Sequence, residues 1–313
     1  MSEMSTTVGT SFTRRQLLGG SLVAGVATMF GSSALVGCGG DGSVTPPNLT
    51  FPRDVAALLR TLTLDGTYLI ADPRTGRLYR IDQAARTVSQ LDAAGTVRWT
   101  FGASADPAMS LSFPTDIALR PDGSVYVVDQ GRVVLLTADG RSCARSTASG
   151  RARSARVDAD GGLWVIDTVQ HQVKGFTADG SPARSIAEYG TGAAQLNGPR
   201  GLTIDAQGQL HVVDSGNATV KVFSRAGALV RSYGAYGAAA GQFKLPRSVA
   251  VAANGLSYVA DPTAGVLQVF DPSGAPLARL DNLTMGSRPA VPLDVTIAAN
   301  GLVQVRLYSW TTA

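Results

Sequence analysis

Glutamate is nearly missing from this chain, which carries it only at Glu3 and Glu188, and lysine is confined to Lys174, Lys221 and Lys244. Charged residues make up only 16% of the sequence against 44% hydrophobic, which excludes an extended, self-repelling polymer and leaves ample material for a large core. The formal charge is +4, or +3 once Glu3, Arg14 and Arg15 are set aside with the leader described below. Such a weak field excludes the basic footprint of a nucleic-acid binder. Nearly all the positive charge is arginine, which reads first as genomic composition and second as a choice of planar groups for anion recognition. His171 and His211 are the only histidines, so a three-imidazole zinc centre cannot be built from histidine alone. With Cys38 and Cys143 the only cysteines, there is no disulfide framework. A G-x-S-x-G elbow, a P-loop and paired-cysteine metal spacings are all missing.

What is present begins with Arg14 and Arg15 ahead of a moderately apolar run from Leu17 to Val36, rich in Gly, Ala and Ser. This resembles a bacterial twin-arginine export signal. It ends in Leu35-Val36-Gly37-Cys38, which resembles a lipobox, implying a diacylglycerol on Cys38 and removal of residues 1–37 as a signal peptide. An uncleaved membrane-spanning helix is the competing reading, since about 20 residues can cross a bilayer. Dilution by small residues, and an end on cysteine in place of a charge cluster, argue against it. Residues 38–50 are a Gly-, Ser- and Pro-rich stretch too polar to pack, expected as a flexible tether. Gly39 stands where an Asp would resemble an inner-membrane retention signal. The implied address is therefore the periplasmic face of the envelope, lipid-anchored, with the outer membrane favoured.

Residues 51–313 are organised by repetition. Turn glycines at Gly76, Gly123, Gly161, Gly208, Gly255 and Gly301 are spaced by 47, 38, 47, 47 and 46 residues. Six residues beyond each comes Asp82, Asp129, Asp167, Asp214 or Asp261, with Leu307 in the last copy. Three residues beyond each stands Tyr79, Tyr126, Trp164, His211, Tyr258 or Gln304, and nine residues before lies Pro114, Pro199, Pro246 or Pro292, with Thr67 and Ala152 in the other two copies. Each copy alternates short apolar segments with glycine turns, the pattern of small antiparallel sheets in a repeat array. The third copy, with its 38-residue spacing, predicts one short connecting loop.

Phe101-Gly102, Tyr189-Gly190 and Tyr233-Gly234 are expected to end the outer strand in three copies, followed by Leu111, Leu196 or Phe243 three residues before the proline. This pattern, F-x-x-P, a strand, G-x-x-Y-V-x-D, a strand and D-x-x-G, resembles the NHL-repeat family over residues 50–313. The resemblance implies an all-β, six-bladed β-propeller. The sixth copy stops after two strands, DVTIA and LVQVRLYSW, so the segment from Phe51 to Leu64 is expected to supply its outer strands. The ring would then be closed by strands from both chain ends, which removes exposed edges. The family includes binders and enzymes alike, so the fold alone assigns no activity.

The repeated aspartates invite a carboxylate or calcium reading. Their equivalent places on successive copies instead predict side-chain oxygens that accept backbone N–H bonds in the following turn. His211 falls at the aromatic wedge position and His171 in a turn. Resemblance to peptidylglycine amidating enzymes would require three inward imidazoles, and resemblance to gluconolactonases or streptogramin lyases would require the glutamate, or the histidine and glutamate, that the chain is short of. No metal or cofactor is expected.

One position is not uniform. Directly after the proline position the copies read Tyr68, Thr115, Arg153, Arg200, Arg247 and Leu293. Arg153, Arg200 and Arg247 are thus expected on one side of a channel mouth, with Asp116 and Asp294, one residue later, on the other. Arginines stacked between blades are the competing reading. The sequence supports a binding or scaffold protein that uses the propeller face for an anionic ligand or a partner protein. A propeller lyase or lactonase-type enzyme with an unrecognised site is the alternative.

Overall fold

The computed structural model describes residues 25–27, 68–72, 75–92, 94–102, 110–146, 151–285, 288–297 and 303–309. Arg14, Arg15, Cys38 and the segment from Phe51 to Leu64 lie outside them. Within the described residues every regular element is a strand except one 3-10 turn, Ser215–Asn217. The strands form six four-stranded antiparallel sheets and one two-stranded parallel pair.

Five of the sheets are simple meanders in which each strand pairs with the next. They begin with Tyr68–Ala71, Pro114–Leu119, Ala152–Val157, Pro199–Ile204 and Ser248–Val251 and end with Val97–Phe101, Ser142–Ser146, Pro182–Ile186, Leu229–Tyr233 and Pro276–Leu280. Cys143 accordingly falls on an outermost strand. The glycine ruler holds in these five sheets because Gly76, Gly123, Gly161, Gly208 and Gly255 occupy left-handed turns between the first and second strands, with φ of +69° at Gly76 and +83° at Gly255, where an L side chain would be strained. In the sixth sheet Arg288–Ile297 pairs with Thr284–Met285 on one side and with Val303–Ser309 on the other. The outer neighbour of Val303–Ser309 is Gly25–Ala27, and the expectation that residues 51–64 supply outer strands falls outside the described residues.

Burial is greatest in the two middle strands of each meander and drops at the outermost strand. The second strands Val125–Asp129, Leu163–Asp167, Leu210–Asp214 and Ser257–Asp261 are buried along their whole length, whereas Pro182–Ile186 is exposed except at Ile186. A strand covered on both faces needs apolar residues at every position, which is why these segments read as VYVV and LWVI and do not alternate. Core clusters join consecutive sheets: Tyr79, Phe101 and Val127 link the first to the second, and Trp164, Leu202 and Phe223 link the third to the fourth. Tyr233 closes the gap between the fourth and fifth, its ring tilted against Phe270 with centroids 4.9 Å apart and its hydroxyl 2.9 Å from Ser257 Oγ. Burial pushes that phenol up to about 12. At about 1.5 to 3 kcal/mol for each fully buried large side chain, these seams outweigh any surface ion pair.

The first strands from the second sheet to the sixth lie side by side, each against its successor. Their starting ends therefore share one face, together with the loops that lead into them and the turns that follow the second strands.

Candidate functional site

That face is built by the repeated aspartates. Asp129, fully buried, accepts the backbone N–H groups of Ser112 and Phe113 just ahead of Pro114, and its carboxylate also holds Arg132 at 2.8 Å. Asp261 accepts from the N–H groups of Lys244 and Leu245 ahead of Pro246, and from Ala264 in the turn after it. Asp214 takes the N–H of Asn197 and the side chains of Asn217 and Lys221. The aspartates thus bond the following turn, as Asp82 does to Ala85 and Asp167 to Val169 and Gln170, and three of them also clamp the segment entering the first strand. These carboxylates are consumed by the scaffold.

The clamped entry segments lead directly into bulges. In the second sheet Pro114 pairs with Asp129 and Asp116 with Val128, leaving Thr115 as the extra residue. The third and fourth sheets slip likewise between Ala152 and Ala155 and between Pro199 and Leu202, which puts Arg153 and Arg200 in the bulge; Leu293 holds the same place in the sixth. In the fifth sheet pairing begins at Ser248, and Arg247 donates its N–H to the Ala260 carbonyl at 2.9 Å. A bulge turns a side chain out of the pleat. Arg153 is exposed, and Arg200 and Arg247 are half-buried. The three therefore stand at corresponding places on three adjacent sheets, and exposed Arg151 and Lys244 add charge to the same entry segments.

Asp116 and Asp294 are committed to the seams between sheets. Asp116 Oδ2 accepts from Ser154 Oγ at 3.2 Å, the Ala155 N–H at 3.1 Å and Arg156 at 3.0 Å, all on the third sheet. Asp294 Oδ1 accepts from Ser248 Oγ of the fifth sheet at 2.5 Å, and Arg306 lies 3.6 Å from its other oxygen. Between these two Asp–Ser bridges the corresponding residue is Gly201, where a Cβ would sit 2.7 Å from the Arg247 carbonyl oxygen, so only glycine admits the fifth sheet that closely.

Tyr189-Gly190 does not end an outer strand. The register of Ile186 with Val173 and of Tyr233 with Val220 makes Ile186 the counterpart of Tyr233, and Tyr189 lies beyond it in the connecting loop, matching Tyr236. The two loops are built alike. Gly190 donates to the Leu196 carbonyl at 3.0 Å and Gly237 to that of Phe243 at 2.9 Å. Gln195 Oε1 accepts from the Gly192 N–H and Gln242 Oε1 from the Ala239 N–H, both at 3.0 Å. Beneath them buried Lys221 donates to the Gly192 carbonyl at 2.9 Å and to that of Gln195, while buried Gln268, its counterpart, bonds the Gln242 carbonyl at 2.6 Å and the Gly241 N–H at 2.8 Å. Each loop lifts its tyrosine into solvent, Tyr189 at 65% and Tyr236 at 77% exposure. The shared string Y-G-x-x-x-x-Q followed by Leu or Phe, 47 residues apart, was the signal that could have revealed this.

The histidines occupy opposite ends of their sheets. His171, in a left-handed turn residue of the third sheet, accepts the Gly198 N–H at Nδ1 at 2.8 Å and lies against Tyr189, ring centroids 4.7 Å apart. His211, near the glycine-turn end of the fourth, lies 3.0 Å from Asp205 through Nε2. Burial lowers its pKa against the opposing pull of that carboxylate. Trp164 uses the same place to donate to Asp158 at 2.9 Å, so this is a packing position with an adaptable polar tip. Among the described residues, no three His, Cys, Asp or Glu side chains gather into a metal-holding group.

The NHL repeat family matches residues 196–223, the connection into the fourth sheet and three of its strands. No curated protein matches the sequence. Among solved structures the chain is similar to a streptogramin B lyase, with 18% identity and a TM-score of 0.60 over 77% of this chain and 78% of that one. It is also similar to virginiamycin B lyase from Staphylococcus aureus, with 14% identity and a TM-score of 0.58 over 77% of this chain and 80% of that one. A catalytically inactive form of the latter bound to quinupristin matches equally. At these identities the likeness is one of fold, an all-β propeller-like arrangement.

Proposed function

We propose that this protein is a six-bladed propeller, closed by strands from both chain ends, that is tethered to the envelope through a lipid on Cys38 after twin-arginine export and binds an anionic ligand or partner on the face described above. The observation that carries this is the placement of Arg153, Arg200 and Arg247 at one corresponding position on three adjacent sheets, two of them in bulges. Guanidiniums at corresponding places on neighbouring strands can take carboxylate or phosphate oxygens bidentately, and clamping by Asp214 and Asp261 fixes the entry segments before any ligand arrives. Asp116 and Asp294, bonded across their seams, shape the mouth and do not contact the ligand in this reading. A membrane partner is engaged only through the anchor, on the periplasmic side and with the outer membrane favoured.

The lyase or lactonase reading draws on fold likeness alone. His171 and His211 are turned to different ends of their sheets, and Glu188 is bonded to Gln195 at 3.0 Å within its own loop. A thermal-shift screen of the full chain against sugar acids, acidic peptides and anionic envelope fragments tests the binding reading. Stabilisation by at least one anion, lost when Arg153, Arg200 and Arg247 are replaced together by alanine, supports it. An equal shift in the triple variant overturns it.

A further inference from the structure

Arginine is not the only chemistry on this face, and its partner there is repeated in register. Eleven residues separate Tyr189 from Arg200 and eleven separate Tyr236 from Arg247, on loops of the same construction leading into adjacent sheets. The structure thus presents the same tyrosine–arginine unit twice. Of the exposed large hydrophobic residues described, Phe113, Val169, Tyr189 and Tyr236 all lie at this end of the sheets, while Val97, Val230 and Leu277 are on outermost strands.

We infer that the sector over the third, fourth and fifth sheets docks an extended acidic segment of a partner protein, with its carboxylates on Arg200 and Arg247 and its apolar side chains on Tyr189 and Tyr236. This rests on the anion-binding reading and narrows it. A single phosphate or sugar acid would use the guanidiniums and leave both tyrosines idle, whereas a chain alternating acidic and apolar groups meets both units at once. An acidic glycan could stack on the tyrosine rings, but exposed Val169 itself offers it no ring face. Tyrosine and arginine are enriched among the residues that dominate protein interfaces, tyrosine because it buries a large area with few rotors and arginine because its planar fork takes carboxylates bidentately. Here the loops are also held in place, by Gln195 over Lys221 and by Gln242 over Gln268, so little ordering remains to oppose binding.

The test uses the full chain in mild detergent and a fluorescent random copolymer of glutamate and tyrosine, with oligogalacturonate of matched charge and inorganic phosphate as the other probes. The copolymer is expected to bind at least about tenfold more tightly than the oligogalacturonate. Tyr189→Ser with Tyr236→Ser is expected to weaken the copolymer about tenfold at an unchanged thermal midpoint, and the triple arginine variant to weaken every probe. Equal affinity for copolymer and oligogalacturonate, or copolymer binding untouched by the tyrosine changes, overturns the acidic-segment proposal while leaving anion binding standing. Probe binding that survives the triple arginine variant overturns both.

Discussion

Lys221 Nζ lies 3.0 Å from the Asp214 carboxylate, with both side chains buried, and the same ammonium reaches across to the carbonyls of Gly192 and Gln195. One buried charge pair thus fixes a turn, an entry segment and a tyrosine-bearing loop. Lys221→Met removes the cation and strands the carboxylate, which is expected to cost about 3 to 5 kcal/mol of unfolding free energy. Lys221→Gln is expected to cost less than the methionine change, because Gln268 does the same loop-holding work one copy later. Chemical denaturation of the two variants against the parent measures both. Equal losses would mean that the loop bonds contribute nothing beyond the charge.

His211 predicts an acid-side weakness. With Nε2 at Asp205, Nδ1 is buried without a hydrogen-bond partner, so a second proton there would charge the ring where nothing accepts it. Its folded pKa lies below the ordinary value. The unfolded chain then binds more protons over that window, and its contribution is fully present above about pH 6.5 and is lost as pH falls toward the folded value. His211→Tyr, the residue found at the matching places in the first, second and fifth sheets, should flatten the stability profile below about pH 6.5. An unchanged slope would assign the acid sensitivity to other groups.

The repeat frame was legible because its markers each answer a local need. Gly255 must adopt a left-handed turn, and Asp261 must satisfy the N–H groups of Lys244 and Leu245, so both recur whatever the neighbours do. Relations between copies were not legible. Asp116 meets Ser154 across a seam, a contact between residues 38 apart that no pattern within one copy specifies. The misplaced Tyr189-Gly190 has a similar cause. At the true strand end the third copy has Ala187 in a left-handed conformation, φ +66°, where the fourth has Gly234, so the glycine marker had moved off the corner it normally marks. The burial of Lys221 was hidden for the opposite reason, since a lone lysine in an apolar strand reads as surface until its carboxylate is placed beside it.

The proposed address predicts two separable phenotypes. Cys38→Ala should abolish incorporation of a radiolabelled lipid and leave precursor or soluble protein, and a label retained on the variant would contradict the anchor. Changing Arg14 and Arg15 together to lysine should hold folded protein in the cytoplasm, whereas unaltered export would assign the pair to an ordinary basic leader.

Anion binding by the arginine face is the central claim, and Arg200→Ala tests it most directly, because the half-buried guanidinium stands between those of Arg153 and Arg247 in the sheet order. A charge-assisted hydrogen bond of this kind contributes about 1.5 to 3 kcal/mol. Titration calorimetry with an anion that stabilises the parent should therefore show at least about a tenfold loss of affinity, with the unfolding midpoint almost unmoved. A lowered midpoint with affinity intact would make Arg200 a stacking residue between sheets and contradict the account.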